Sequence, residues 1–365
     1  MSGAPIRVLV AGCGHMGASH ARAYHEMRAR FEGSTVPRPF EIVGLVSRGS
    51  ESRGRLNASL GGEYPEFDDY FAALKATRPD AVCISTYTET HAPYALAAIE
   101  AGAHVFLEKP VADNAADAAR VIDAARRANR ALVVGYILHV HPTWQRFIEL
   151  ARTLGTPLVM RMNLNQQSDG AHWATHRNLL AATSPIVDCG VHYVDVMCQM
   201  TGARPVRVSG IGARLTDDVA ADRFNYGHLQ VTFDDGSIGW YEAGWGPMMS
   251  ETAFFVKDVI GPRGAVSITA PAGGSADHES HTRTEALLLH HAALTADGTF
   301  ARADEVIALE DEPGHDALCR REQERFLDAI RGAFDLEPHW RSALDSLRIV
   351  LAADQSAQEG RTIEL

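Results

Sequence analysis

Short apolar runs recur along the N-terminal part of the chain, at 6–11, 40–46, 80–86, 103–107 and 131–136. Stretches with apolar residues at helical spacing follow them, at 18–30, 91–101 and 115–129. Uninterrupted apolar strands alternating with helices predict a parallel, doubly wound sheet, because such strands are covered on both faces. A helix predicted over 143–154 ends at Gly155, and there the pattern changes. Strand-like alternation appears at 158–165, 206–213, 227–233, 237–243, 253–260 and 265–268, and Asp234-Asp235-Gly236 marks a hairpin. Successive hairpins without intervening helices predict an open, mostly antiparallel mixed sheet. Helices are also expected over 188–200, 316–331 and 342–359. The fold class is therefore α/β followed by α+β. A doubly wound, Rossmann-type domain is expected over 1–140 and an α+β domain over 141–365, its last helix reaching back onto the first domain. A chain of 365 residues exceeds the size at which one core stops growing, which suits two domains.

Composition narrows the function. A formal charge of -12 argues against a phosphate-backbone partner and leaves a small molecule as the default ligand. Cys13, Cys83, Cys189, Cys198 and Cys319 are scattered, with no CxxC pair, so neither a zinc module nor a disulfide framework is indicated, and no metal is expected. No apolar run approaches the roughly 18 residues that a membrane span needs. With no signal region before the first strand, the expectation is a cytoplasmic protein without a membrane or nucleic-acid partner. The stretch 270–282 is rich in Gly, Ala, Ser and His and reads as a surface loop with His278 and His281 solvated.

Three sets of residues carry candidate chemistry. The first strand runs into Gly12-Cys13-Gly14-His15-Met16-Gly17 and then a helix. In that context the glycines let the backbone approach a pyrophosphate at the helix N-terminus. The second strand ends at Ser47-Arg48, where an NAD-type site places an acid on the ribose. A small hydroxyl and a guanidinium suit the 2′-phosphate of NADP, although a solvated Arg48 in an NAD protein reads the same way. Thr86 and Lys109 stand at strand ends, the ligand edge of such a sheet, where a plain surface lysine is the alternative. Asp188, His192 and Asp195 fall at i, i+4 and i+7 of one helix and share a stripe. That stripe reads as an acid/base site, as a metal site, or as polar residues that satisfy neighbours.

Taken together, Gly12-x-Gly14-x-x-Gly17, Thr86 with His91, Glu108-Lys109-Pro110, Asp188-x3-His192-x2-Asp195 and Ser356-Ala357-x2-Gly360 resemble the Gfo/Idh/MocA family of nicotinamide-dependent oxidoreductases. The resemblance covers nearly the whole chain. It implies hydride transfer between the nicotinamide of NADP, or NAD, and a secondary alcohol or ketone of a sugar, cyclitol or related polyol. By matching position, Lys109, His192 and Asp188 would be catalytic, with Asp195 on the substrate side. Gly12, Gly14, His15, Met16, Gly17, Ser47, Arg48, Thr86, His91, Glu108 and Lys109 would line the cofactor. A homodimer or homotetramer through the second sheet is also implied. Two other activities fit the same frame: a glycosidase working by transient oxidation, and a non-catalytic cofactor-sensing regulator. Departures from the family pattern bear on the substrate. Ala182-Thr183-Ser184-Pro185-Ile186 replaces a glycine cluster, Tyr87 a common proline, and His139-Val140-His141-Pro142 a common arginine. Trp173, His176 and Arg177 are the candidate sugar contacts, with core packing of Trp173 and exposure of Arg177 as the alternatives.

Overall fold

The structure, a computed structural model, describes residues 4–29, 40–250, 256–269, 284–309 and 312–365. The connection at 30–39 and the His278 and His281 stretch lie outside the described residues, as does the start of the strand read at 253. The chain divides into two units, Met1–Val140 with Gly314–Leu344 and His141–Pro313 with Asp345–Leu365. Residues 314–344, which a division at 140 leaves with the second domain, thus group with the first.

The first unit is built from β1 (Ile6–Ala11), α1 (His15–Ala29), β2 (Phe40–Val46), α2 (Ser50–Ser59), β3 (Glu66–Phe67), α3 (Tyr70–Thr77), β4 (Ala81–Ile84), α4 (His91–Glu100), β5 (His104–Glu108), α5 (Ala115–Ala128) and β6 (Leu132–Gly135). Its strands pair in parallel in the order β3-β2-β1-β4-β5-β6. Val8, Leu9, Val10 and Ala11, like all of β4, expose nothing, as a strand covered on both faces requires. The order reverses between β1 and β4, so the C-terminal ends of those strands open a crevice where such sheets hold ligands.

The second unit contains α6 (Pro142–Thr153), β7 (Val159–Gln167), α7 (Gly170–Leu180), α8 (Pro185–Asp188), α9 (Gly190–Thr201), β8 (Pro205–Ala213), β9 (Tyr226–Phe233), β10 (Ile238–Gly246), β11 (Lys257–Gly261), β12 (Gly264–Ile268), β13 (Ala286–His291) and β14 (Glu305–Ala308). Helix α10 (His315–Ile330) belongs to the first unit, α11 (Glu337–Glu359) runs from the first into the second, and β15 (Ile363–Glu364) ends the chain. The nine strands form one sheet, β14-β13-β12-β11-β7-β10-β9-β8-β15, antiparallel except at β7 and β10. Leu229, Tyr241, Met160, Val259, Val266 and Leu287 are buried on one face. The other carries Ile211, His228, Trp240 and Ile238, of which Ile211 is 66% exposed. Helix α9 packs against β10 because Gly190 has no side chain: a Cβ there would lie 2.9 Å from the Tyr241 ring.

The helix expected over 188–200 is two helices. Pro185–Asp188 forms one turn, Cys189 joins it to the next, and the His192 amide reaches the Cys189 carbonyl at 3.2 Å, a three-residue step. The unusual Thr183-Ser184-Pro185 lead-in supplies the start. The Ser184 Oγ accepts from the Val187 amide (3.1 Å), and Pro185 occupies the first turn, where its missing N–H costs nothing.

Candidate active site

At the end of β1 the backbone turns sharply into α1. Gly12 makes the turn with φ of 101° and donates its N–H to the Val46 carbonyl at 2.8 Å. A Cβ at Gly12 would lie 2.2 Å from the Ser85 carbonyl oxygen, and one at Gly17 would lie 1.9 Å from that of Gly12. Packing alone therefore demands both glycines. Gly14 is different: its φ is ordinary, and a Cβ there would meet nothing within 4 Å. The fold leaves this face open at the N-terminus of α1, whose unsatisfied N–H groups attract anions. The loop thus fits the pyrophosphate of a dinucleotide. Exposed His15 and half-buried Met16 form the first turn of α1, and the His15 ring stands 5.6 Å from that of His315 in α10.

The end of β2 presents half-buried Ser47 and exposed Arg48. The Ser47 hydroxyl is 3.2 Å from that of Ser52, and its carbonyl accepts from the Arg53 guanidinium. Glu66 in β3 is engaged by Arg53 (3.5 Å) and by the Asn57 amide (2.8 Å). Arg53 gave no signal in the sequence, because a basic residue in an exposed-looking helix is ordinary.

Thr86, His91, Glu108 and Lys109 cluster at the ends of β4 and β5. Half-buried Thr86 accepts from the Thr90 hydroxyl at 2.7 Å. His91 is buried, with Nδ1 2.7 Å from the Pro110 carbonyl and Nε2 3.0 Å from that of Thr86, so it ties the two strand ends together. Two carbonyl partners favour a doubly protonated ring, but burial prevails and holds its pKa below the ordinary value. Glu108 is also buried, its Oε2 accepting from the Lys109 amide (3.2 Å) and its Oε1 lying 2.7 Å from His20 Nε2. His20 Nδ1 accepts from the Gln323 amide (2.9 Å), and the Tyr24 hydroxyl donates to Gln323. Burial alone would raise the Glu108 pKa; the hydrogen bond from His20 outweighs it and holds the group as a carboxylate. An anchored anion therefore fixes the backbone at half-buried Lys109.

In the second unit accessibility falls along α8 and α9. Asp188 is half-buried, His192 keeps 8% of its surface, and Asp195 keeps none, its carboxylate accepting from Gln199 at 2.9 Å. Beside Asp188 lies a cluster from α7, β7 and β10. The His176 ring stacks on Trp245 (4.7 Å, 7°), and its Nδ1 is 3.0 Å from the Ser168 hydroxyl. Trp245 and Cys189 both donate to Gln166 Oε1, at 2.9 and 3.6 Å. Burial pushes the His176 imidazole down to about 4, against the pull of the Asp188 charge, so the ring is neutral near pH 7. Trp173 is buried in an apolar cluster with Leu180, Val219 and Trp245, its Nε1 reaching Asp218 at 3.3 Å, while exposed Arg177 lies 5.8 Å over its ring. On the other side of α9, buried Lys257 sits 4.9 Å over the Tyr193 ring and donates to the Asn163 carbonyl; burial lowers its pKa to about 7. Polar residues at the end of an otherwise buried strand were the only sequence sign of Gln166 and Ser168. Nothing in the sequence marked Trp245.

A family model described as an oxidoreductase family with an NAD-binding Rossmann fold matches residues 6–136, and one described as the GFO/IDH/MocA C-terminal domain matches 145–266. The chain belongs to the Gfo/Idh/MocA oxidoreductase family. Among family members, a UDP-N-acetylglucosamine 3-dehydrogenase of Acidithiobacillus ferrooxidans is 28% identical over 59% of this chain and 60% of its own length. An inositol 2-dehydrogenase of Klebsiella pneumoniae is 30% identical over 53% of each chain. The alignments thus span little more than half the length of these relatives. A crystal structure of an NAD-binding oxidoreductase from Klebsiella pneumoniae shares the fold, with a TM-score of 0.77 at 21% identity and 99% coverage of both chains. The Gfo/Idh/MocA assignment agrees with the parallel six-stranded sheet and the nine-stranded mixed sheet described above.

Proposed function

We propose that this family member is a nicotinamide-dependent dehydrogenase or reductase acting on a secondary hydroxyl or ketone of a sugar, cyclitol or related polyol, with NADP preferred over NAD. The observation that carries the reading is His192, which follows half-buried Asp188 and keeps 8% of its surface where its neighbours Val191, Tyr193, Val194 and Asp195 keep none. Oxidising an alcohol removes a proton from oxygen as hydride leaves carbon, and the bound nicotinamide supplies the hydride acceptor. His192 takes the proton and returns it in reduction, an imidazole being the side chain type suited to proton transfer near neutral pH. The Lys109 ammonium stabilises the developing alkoxide by charge and hydrogen bond. Asp188 positions a substrate hydroxyl beside His176. Asp195 is sealed from solvent, so it serves the site by orienting α9 rather than by touching substrate. His91 and Glu108 are likewise buried, and they support the cofactor side by fixing Thr86 and Lys109.

The NADP preference rests on Ser47 and Arg48, with Arg53 behind the Ser47 carbonyl. Assembly with further copies of the chain uses the outer face of the second sheet, where Ile211 and Ile238 are exposed at 66% and 46%. No described helix is long and apolar enough to cross a membrane. The test is an absorbance screen for nicotinamide reduction over sugars and inositols, with NAD and NADP side by side. Turnover of a polyol with NADP supports the reading. Glycoside cleavage without net reduction would favour transient oxidation instead, and no turnover of any polyol would overturn it.

A further inference from the structure

Three side chains with no part in the proposed reaction chemistry meet in the first unit: His20 of α1 and Cys319 and Glu322 of α10. Cys319 and Glu322 stand three residues apart and share one face of the helix. One ligand atom from each of the three residues lies within 4.8 Å of the other two, and the residues expose 0%, 0% and 3% of their surface. Both carboxylate oxygens of Glu322 are buried with no hydrogen-bond partner among the described residues. A buried, unsatisfied acid beside a second buried acid, Glu108, is an unfavourable arrangement that a cation relieves.

We propose that His20, Cys319 and Glu322 form a buried structural binding site for Zn²⁺. A thiolate, an imidazole and a carboxylate are a donor set suited to zinc rather than to magnesium or calcium. Thiolate and carboxylate together neutralise a divalent ion. His20 already has the supporting contact that metal-bound imidazoles favour: Nε2 is held by the Glu108 carboxylate at 2.7 Å, which leaves Nδ1 as the ligand atom. The Gln323 amide, now 2.9 Å from Nδ1, turns aside as the metal takes that lone pair. Binding releases the Cys319 thiol proton and any proton on Glu322; His315 Nε2, 3.4 Å from Cys319 Sγ, is placed to receive the first. There is no change of oxidation state. His20 lies far in sequence from the Cys319-x2-Glu322 pair, so no ligand spacing joins the three and the site is invisible to motif reading.

The test titrates the full-length protein, stripped with chelator, with Co²⁺ and then with Zn²⁺. The expected result is stoichiometric uptake with a thiolate-to-cobalt charge-transfer absorption that Zn²⁺ abolishes. Cys319→Ser should remove that band, and Glu322→Gln should weaken affinity by at least roughly tenfold, with the circular dichroism of both unchanged. Failure to take up either ion stoichiometrically, or uptake unaltered in both folded variants, would overturn the proposal. Neither result depends on turnover, so the catalytic reading stands or falls separately.

Discussion

The glycine loop separates what folding requires from what a ligand requires, and two single substitutions test that separation. Gly12→Ala forces a side chain onto a residue with φ of 101°, 2.2 Å from a backbone carbonyl. The backbone conformation alone costs about 1–3 kcal/mol. The Ser85 carbonyl must also move, so a loss of at least about 3 kcal/mol is expected, a large part of the ~5–15 kcal/mol of a typical protein. The thermal midpoint of the variant should fall by roughly 6–12 °C. Gly14→Ala meets nothing within 4 Å, so its stability should stay within about 1 kcal/mol of the parent, with a gain of ~0.4–1 kcal/mol available from a stiffer unfolded chain. Its Cβ does occupy the face a pyrophosphate approaches. Cofactor affinity, measured by calorimetry, should therefore drop about tenfold or more, ~1.4 kcal/mol. Unchanged cofactor affinity in Gly14→Ala would refute the cradle, and an unchanged midpoint in Gly12→Ala would refute the turn.

Arg48→Ala should raise KM for NADP about tenfold while leaving that for NAD nearly unchanged; a parent enzyme that prefers NAD would contradict the role given to Ser47 and Arg48. His176→Phe keeps an aromatic ring for Trp245 but loses the Ser168 contact. Substrate KM should rise more than kcat falls, and an unaltered KM would remove His176 from the substrate wall. Asp354, whose carboxylate accepts from the Ser184 hydroxyl at 2.7 Å, is pushed by burial from 3.8 up to about 6. The folded state therefore holds an extra proton between those values, and stability falls as pH rises from about 4 to 6, then levels off. The gap corresponds to at most about 3 kcal/mol. Asp354→Asn should flatten that slope in urea melts and exceed the parent in stability at pH 7; parallel pH profiles would show the carboxyl is not responsible.

Much of the fold is written in local pattern. Buried parallel strands such as Ile6–Ala11 and Ala81–Ile84 are continuous apolar runs, and the alternation along Tyr226–Phe233 records a sheet with one face covered. What escaped was too short or locally ambiguous. Glu66–Phe67 is a two-residue strand, and Gly170–Leu180 mixes polar and apolar residues without a clear stripe. Helix α11 starts at Glu337, earlier than the apolar spacing shows, because Pro338 reads as a breaker yet is tolerated in a first turn. The break at Cys189 left no trace, since Asp188, His192 and Asp195 have the same spacing in one helix or two. The reactive candidates were legible as motifs, but their supports were not. Gln323 and Tyr24 reach Glu108 through His20, and Gln166 and Trp245 reach Cys189 and His176, by tertiary contact alone.

The central claim is that His192 moves the proton while the nicotinamide moves the hydride. The direct measurement is His192→Asn against the parent on the polyol found by the screen, with kcat from cofactor absorbance and cofactor affinity from calorimetry on the same preparations. The account predicts a loss of about 10²–10⁴ in kcat with cofactor affinity nearly unchanged. A variant that turns over at the parental rate would contradict it.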